Sequence, residues 1–348
     1  MRVEAEKLNS YVSVAVNGIG KRGLNPLNTA ITLLNDNGKL SLLTTTGLST
    51  LKVTTDIEVG EFQSCSVENT IFVQLLSRLS GEIELTIEEG KNLVIRGKGE
   101  YKIVVVFDYN GNFALIEDIH VNDEGFNKID IEELSRAIGV CKNACPEDLN
   151  NPIHYNIYFG DNAVATNDEK LITIPNKSGY KGLLSVNNLG IVTSVFKENT
   201  SYKVDGMTLT IKDDKSTLVT SVGDASEFPS QVANNITLDN KFEVEYENIM
   251  DVIEKGKLFI SSFDRNRINL DITKEGLVLK SKNADFTEEV AFISPNEVTE
   301  LKDLEINLLD LYAILTSCVN GPVIMSCTEE GPLVVTQNEY KGMISLYE

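Results

Sequence analysis

The sequence predicts an α+β chain of three similar domains, each with two helices packed on antiparallel sheet. Three observations lead there. A helix-period stretch followed by alternating strands recurs six times along the 348 residues. The strands turn back at acidic or glycine-bearing tips, the pattern of short hairpins rather than of crossover units. With one helix per group of strands, helices laid on one face of a sheet bury the apolar side of both. Pairing consecutive repeats gives domains of roughly 115 residues, an ordinary size, with boundaries at 1–122, 123–240 and 241–348.

Helices are expected to begin near Lys7, Glu68, Asp130, Ser185, Tyr246 and Asn307. In the first, Leu8, Tyr11, Val12, Ala15 and Ile19 share a face, leaving Lys7, Ser10, Ser13, Asn17 and Lys21 largely outside it. The second buries Ile71, Phe72, Leu75, Leu76 and Leu79 and exposes Asn69, Thr70, Gln74, Ser77 and Arg78. Ile131, Leu134, Ile138 and Cys141 line the third, opposite Arg136, Gly139, Lys142 and Asn143. The fourth exposes Asn187, Asn188, Thr193, Ser194 and Lys197, and the sixth Asp310, Thr316, Ser317 and Asn320. Only the fifth, with Glu247, Asp251, Glu254 and Lys255, has a clearly acidic outer face.

Between the helices, residues 29–34 and 39–44 flank the turn Asn35-Asp36-Asn37-Gly38, and 84–87 and 93–96 flank Glu88-Glu89-Gly90. Residues 268–273 and 277–281 flank Lys274-Glu275-Gly276. The remaining tips are Gly160-Asp161-Asn162, Val204-Asp205-Gly206 and Glu329-Glu330-Gly331. Sheet edges left at the domain ends must be paired or protected, and joining domains edge to edge does so.

A hydrophobic content of 42% fills a core in each domain. No stretch reaches the ~18 apolar residues of a membrane span, and the N-terminus lacks the apolar run of a signal peptide, so a cytoplasmic location is expected. The cysteines Cys65, Cys141, Cys145, Cys318 and Cys327 are odd in number and read as reduced thiols; Cys141 and Cys145 lack the further ligands of a zinc site. The formal charge of −21 excludes a protein that grips nucleic acid over its whole surface, but not a ring or groove with segregated charge. Most polar helix faces are rich in amides and hydroxyls with scattered Lys and Arg, a surface that tolerates phosphate in an otherwise acidic chain.

Enzyme chemistry finds little support. His120 and His154 are the only histidines, and neither has a Cys, Ser or carboxylate at motif spacing. Gly18-Ile19-Gly20-Lys21-Arg22-Gly23 matches the spacing of a dinucleotide loop, but it ends a helix instead of linking a strand to one. Asn176-Lys177-Ser178 and Asn235-Ile236-Thr237 fit the glycosylation pattern, which is idle in a cytoplasmic chain. No catalytic residue, metal or cofactor is expected.

Several segments carry a family pattern in order. Gly20-Lys21-Arg22-Gly23-Leu24-Asn25-Pro26-Leu27 has an Arg-x-x-x-Pro loop leading into 31–42; Ala165-Thr166-Asn167-Asp168-Glu169-Lys170-Leu171 follows in the middle. Phe228-Pro229, residues 269–283, Gly331-Pro332-Leu333-Val334-Val335 and residues 341–348 complete the series. Across essentially its whole length the chain resembles the bacterial-type sliding clamp, the β subunit of DNA polymerase III, as a divergent or phage-encoded member. Asn167 stands where the family has Asp, Lys170 where it has Arg, and Gly47-Leu48-Ser49 where Asp-Leu-Glu is usual. The C-terminus ends Ser345-Leu346-Tyr347-Glu348 rather than Pro-Met-Arg-Leu, which bears on the partner peptides accepted.

The resemblance implies a head-to-tail homodimer, six domains in a closed ring with helices lining the hole and sheets forming the outer wall. It implies a processivity factor that encircles duplex DNA without reading bases and tethers the replicative polymerase, with a clamp loader and other clamp-binding proteins as partners. Arg22 matches the family's DNA-facing arginine; Lys7, Lys21, Arg78, Arg136, Lys142 and Lys197 join it as DNA-contact candidates. The partner-peptide groove falls on Thr166, Asp168, Glu169, Lys170 and Leu171 from one side and Pro229, Pro332, Met343, Ile344, Ser345 and Leu346 from the other. Glu169 and Glu348 there disfavour acidic peptide ends. The ring joint falls on Tyr101 and Ile103 facing Phe259 and Ile260. The acidic fifth helix keeps a second reading open, a clamp-like scaffold or decoy that binds replication factors without encircling DNA.

Overall fold

A computed structural model describes residues 1–146, 151–281, 286–293, 297–329 and 331–347. Glu330 of the last expected hairpin tip, Asn283 at the end of the expected segment 269–283 and the terminal Glu348 lie outside the described residues.

The sequence repeat is one strand, one helix and three strands, run through six times. The first third of the chain holds β1 (Arg2–Glu4), α1 (Ala5–Ala15), β2 (Ala30–Asp36), β3 (Lys39–Thr45) and β4 (Ser49–Glu58), then β5 (Cys65–Glu68), α2 (Asn69–Leu76), β6 (Glu82–Glu88), β7 (Asn92–Arg96) and β8 (Glu100–Val104). The middle third holds β9 (Asn127–Lys128), α3 (Ile131–Cys141), β10 (Asn156–Phe159), β11 (Asn162–Thr166) and β12 (Lys170–Pro175), then β13 (Gly182–Ser185), α4 (Val186–Val195), β14 (Ser201–Asp205), β15 (Thr208–Lys212) and β16 (Ser216–Ser221). The last third holds β17 (Lys241–Glu245), α5 (Tyr246–Gly256), β18 (Arg267–Ile272), β19 (Gly276–Ser281) and β20 (Thr287–Ala291), then β21 (Leu301–Asn307), α6 (Leu308–Leu315), β22 (Pro322–Ser326), β23 (Leu333–Gln337) and β24 (Tyr340–Ile344).

The chain divides into two compact units, Met1–Glu132 with Asn187–Gly223, and Glu133–Val186 with Asp224–Glu348. The first unit holds an antiparallel sheet of order β5-β2-β3-β4-β16-β15-β14-β9 and a four-stranded sheet β1-β6-β7-β8. The second holds β13-β10-β11-β12-β24-β23-β22-β17 and β20-β19-β18-β21. In each eight-stranded sheet two four-stranded halves meet edge to edge, at β4 with β16 and at β12 with β24.

The hairpin tips turn where the sequence supplies residues that tolerate a left-handed backbone. Asn37 (φ 53°) and Gly38 (φ 89°) make the β2–β3 turn, and Glu89 (φ 54°) and Gly90 (φ 59°) the β6–β7 turn. Against the sheets, α1 buries Ala5, Leu8, Val12 and Ala15, and α2 buries Phe72 and Leu76. Each such Leu or Phe contributes roughly 1.5–3 kcal/mol of burial.

The helix faces depart from the periodicity at named places. Ile19 is not on α1, which ends at Ala15 and passes through a short 3-10 turn at Val16–Gly18. There Thr44 Oγ1 donates to the Ala15 carbonyl at 2.7 Å. Gly18 and Gly20 are the tightly packed residues of the glycine motif, since a Cβ would sit 2.4 Å from Thr44 Oγ1 at the first and 2.8 Å from Thr46 Cα at the second. Ile71 is 59% exposed, because only the Phe72 and Leu76 stripe of α2 turns inward. Asn188 and Asp310, expected at the surface, are buried, each holding a specific partner as buried polar groups must. Asn188 accepts from Ser49 Oγ at 2.7 Å and donates to Thr220 Oγ1 at 2.9 Å.

All five cysteines are free and buried. Burial pushes the thiols of Cys65, Cys145, Cys318 and Cys327 up to about 12, so they stay protonated at neutral pH. Among the described residues no helix is long and apolar enough to cross a membrane, and no group of three or more metal-ligating side chains comes together.

Candidate functional site

Successive side chains of a strand point to opposite faces, and this sorts the predicted groove residues. Thr166 lies opposite Leu171, and Leu171 opposite Met343, so these three form one row on one face of the second unit's long sheet. The next row on that face runs Leu183, Tyr158, Val164, Thr173 and Lys341. The segment after Asp224 lies over both rows. Phe228 stacks on Tyr158 with centroids 5.5 Å apart, and His154 meets Phe228 edge-on at 6.1 Å. Val164, Leu171, Leu183, Phe228 and Ala233 are the buried members of this apolar cluster; Ile153, Ala225, Ile236 and Met343 are its partly exposed rim.

The turn before β12 is tied down by side chains. Thr166 Oγ1 donates to the Lys170 carbonyl at 2.8 Å and accepts from the Asp168 N–H at 3.2 Å, with Asp168 at φ 75°. The Asp168 carboxylate lies 3.3 Å from His154 Nδ1, and Asn151 Nδ2 lies 3.1 Å from the same nitrogen. Glu169 is exposed, and its carbonyl accepts from the Ser345 N–H at 2.8 Å, which carries the β12–β24 pairing past the end of β24. Ser345 is exposed, and Pro229, Pro332 and Leu346 are half-buried, with Pro332 at the foot of β23, one strand beyond β24.

Two predicted groove residues point the other way. Lys170 and Ile344 lie opposite each other on the reverse face of the same strands. Lys170 Nζ donates to Asp310 Oδ1 of α6 at 2.7 Å, the two side chains being 13% and 7% exposed, and Ile344 is buried in the core. Neither lines the apolar cluster. Sequence reasoning missed Tyr158, Val164, Leu183 and His154; β11 is buried on both faces, so it shows no alternation from which a groove face is read.

The predicted joint residues also separate. On β8, Tyr101 is 38% and Val104 66% exposed, whereas Ile103 is buried within its own unit and is corrected to a core residue of the single chain. Phe259 is 40% exposed and stacks on Phe286 at 5.2 Å; Ile260 is half-buried, and Leu258 and Phe263 beside them stand almost fully in solvent. Val104, Leu258 and Phe263 had no periodic signal to mark them.

Of the DNA-contact candidates, Lys7 and Arg136 are the two that lie within α-helices, and both are paired, Lys7 with Asp56 at 2.9 Å and Arg136 with Glu133 at 2.8 Å. Arg78, Lys142 and Lys197 were placed on helix faces by periodicity; each instead follows its helix end, after Leu76, Cys141 and Val195. Cations there also complement the helix dipole. Lys21 and Arg22 occupy the exposed loop after α1.

No protein-family model matches the sequence, and no curated protein matches it. Solved structures match along its whole length. The DNA polymerase III β subunit of Thermotoga maritima is 17% identical, covering 100% of this chain and 98% of its own, with a TM-score of 0.84. The DNA polymerase sliding clamp of Bacillus subtilis is 14% identical with the same coverage and a TM-score of 0.83. The Helicobacter pylori β clamp, solved with carprofen, is 16% identical over 100% of this chain and 99% of that one, with a TM-score of 0.80. The fold of the chain is that of the bacterial sliding clamps.

Proposed function

We propose that the chain is a DNA sliding clamp, a processivity factor that encircles duplex DNA as a homodimeric ring and tethers a polymerase. One observation carries the reading beyond fold likeness. In the six-fold repeat, β4, β12 and β20 are equivalent strands, as are β8, β16 and β24. β4 pairs with β16 and β12 with β24, while β8 and β20 are left as outer strands of their sheets. The same antiparallel pairing made between β8 of one copy and β20 of another is the missing third joint. It is a contact between two different surfaces, closes after two copies, and leaves six domains in a ring. The domains are then 1–122, 123–240 and 241–348.

On this reading, the apolar cluster around Leu171, Met343 and Phe228 receives a short peptide of polymerase, clamp loader or other partner. Leu171→Ala with Met343→Ala is expected to weaken such a peptide at least about tenfold, as loss of central apolar anchors does; titration by fluorescence anisotropy checks it, and full affinity removes the groove assignment. Arg22, Lys7, Lys21, Arg78, Arg136, Lys142 and Lys197 supply sequence-independent phosphate contacts. Replacing Arg22 and Lys142 by glutamate is expected to flatten the salt dependence of DNA binding by about 1.8 in the logarithmic slope, near 0.9 per contact; an unchanged slope removes these two from the DNA path.

Retention comes from closure rather than affinity, so the clamp itself makes and breaks no bond, and a cytoplasmic site of action beside the replication machinery follows. The decisive experiment is loading onto nicked circular DNA. A ring is retained on the circle and released when the circle is cut, whereas a scaffold or decoy that does not encircle DNA shows no such difference.

A further inference from the structure

We propose that the β4–β16 joint of the first unit carries a second ligand groove, equivalent by internal repetition to the apolar one, and that it takes a basic, extended peptide segment of a partner protein.

The equivalence is fixed by hydrogen bonds. Thr45 Oγ1 donates to the Ser49 carbonyl at 2.8 Å and accepts from the Gly47 N–H at 3.0 Å. Thr166 makes the same pair of bonds, with the Lys170 carbonyl at 2.8 Å and the Asp168 N–H at 3.2 Å. Thr45 therefore corresponds to Thr166, and their cross-strand partners Thr50 and Leu171 correspond as well. One strand further on, Thr50 faces Val219 where Leu171 faces Met343.

The chemistry has been exchanged while the geometry is kept. Over Leu171 and Met343 the connecting segment lays Phe228 and Ala233, and the face is an apolar cluster with a partly exposed rim. Over Thr50 and Val219 the corresponding connecting segment supplies residues 117–122, and the face stays open as a cavity of about 480 Å³, within the ~300–1,000 Å³ of ligand sites. The row Thr50, Val219, Thr210 and Lys203 forms its floor.

The occupant follows from charge and from the wall. Glu117 and Asp205 line the cavity, are exposed, and form no ion pair among the described residues. Asp118 is already held by Lys52 at 2.8 Å, so Lys52 is not free to neutralise them. Lys203 and His120 are the basic groups that line the cavity, and His120 stands 4.0 Å from Asp118. Among the described residues, the main chain of 117–121 makes no hydrogen bond to another segment; the Ile119 N–H turns to the side chain of Asp118. A wall whose main-chain groups are left without partners in other segments, an acidic rim and a hydroxyl-bearing floor fit a peptide that pairs along the wall and presents Lys or Arg to the carboxylates.

The groove rests on the sheet joint and not on ring closure, so its test is separate. Hydrogen exchange of the full chain is measured with hexalysine and with hexaglutamate. Hexalysine is expected to slow exchange at 117–122 and 203–210 and hexaglutamate to leave it unchanged. Glu117→Lys with Asp205→Lys, both at the surface, is expected to weaken hexalysine about tenfold while loading onto nicked circles stays normal. Leu171→Ala with Met343→Ala is expected to leave hexalysine binding unchanged. Protection spread over other acidic surfaces such as Glu247, Asp251 and Glu254 of α5, or undiminished binding by the Glu117 and Asp205 variant, would overturn the proposal.

Discussion

Phe259→Asp with Ile260→Asp is expected to give a folded monomer that still binds partner peptides and confers no processivity. Phe259 is 40% exposed beside the open strand β20, so the substitution places two carboxylates on a surface that the second copy must dehydrate. A loss of roughly 2 kcal/mol at each of the two joints of a ring weakens the dimer by about 10³-fold. Phe259 also stacks on Phe286, so part of the cost falls on the unit's own packing. Tyr101→Asp with Val104→Asp on β8 attacks the same joint from its other side, where both side chains are exposed. Both double variants should sediment as monomers with native circular dichroism; an intact dimer in either would misplace the joint.

The second large effect belongs to Lys170, which sequence reasoning put in the groove and which is instead paired with Asp310. Asp310→Ala leaves Lys170 buried without a partner and is expected to cost about 3–5 kcal/mol of stability by the usual penalty for breaking a buried pair. Lys170→Met together with Asp310→Leu removes both charges and is expected to recover most of that loss, since two apolar groups of similar volume need no solvation. Asp310 Oδ2 makes no hydrogen bond among the described groups, which places much of the site's cost on the carboxylate. Urea denaturation of the single and double variants checks the pair. A single variant as stable as the parent would mean that Lys170 finds water instead.

What was legible followed local rules. Every helix starts within about two residues of its expected position, because periodicity and the turn before each helix are local signals. The Asn37-Gly38 and Glu89-Gly90 turns were legible for the same reason. The helix faces were less so: Ile71 and Asn188 exchange places with expectation because only Phe72 and Leu76 of α2 turn inward and because Asn188 finds Ser49, 139 residues away. Lys170 was misplaced for a related reason. It sits at the first position of β12, where the facing of the strand depends on the turn before it, and its partner Asp310 is 140 residues distant. Leu171 and Met343 were legible only through family resemblance, and Tyr158 and Val164 not at all, since strands buried on both faces carry no alternation. Which strands stand open at sheet edges is a property of the assembled repeats, visible once β4–β16 and β12–β24 were seen as the same joint.

The central claim is that two copies complete the third joint. Sedimentation equilibrium of the unmodified chain at micromolar concentration tests it most directly. The account predicts a species of twice the chain mass that dissociates on dilution into single chains; a strict monomer across that range, without loader or DNA, would contradict it.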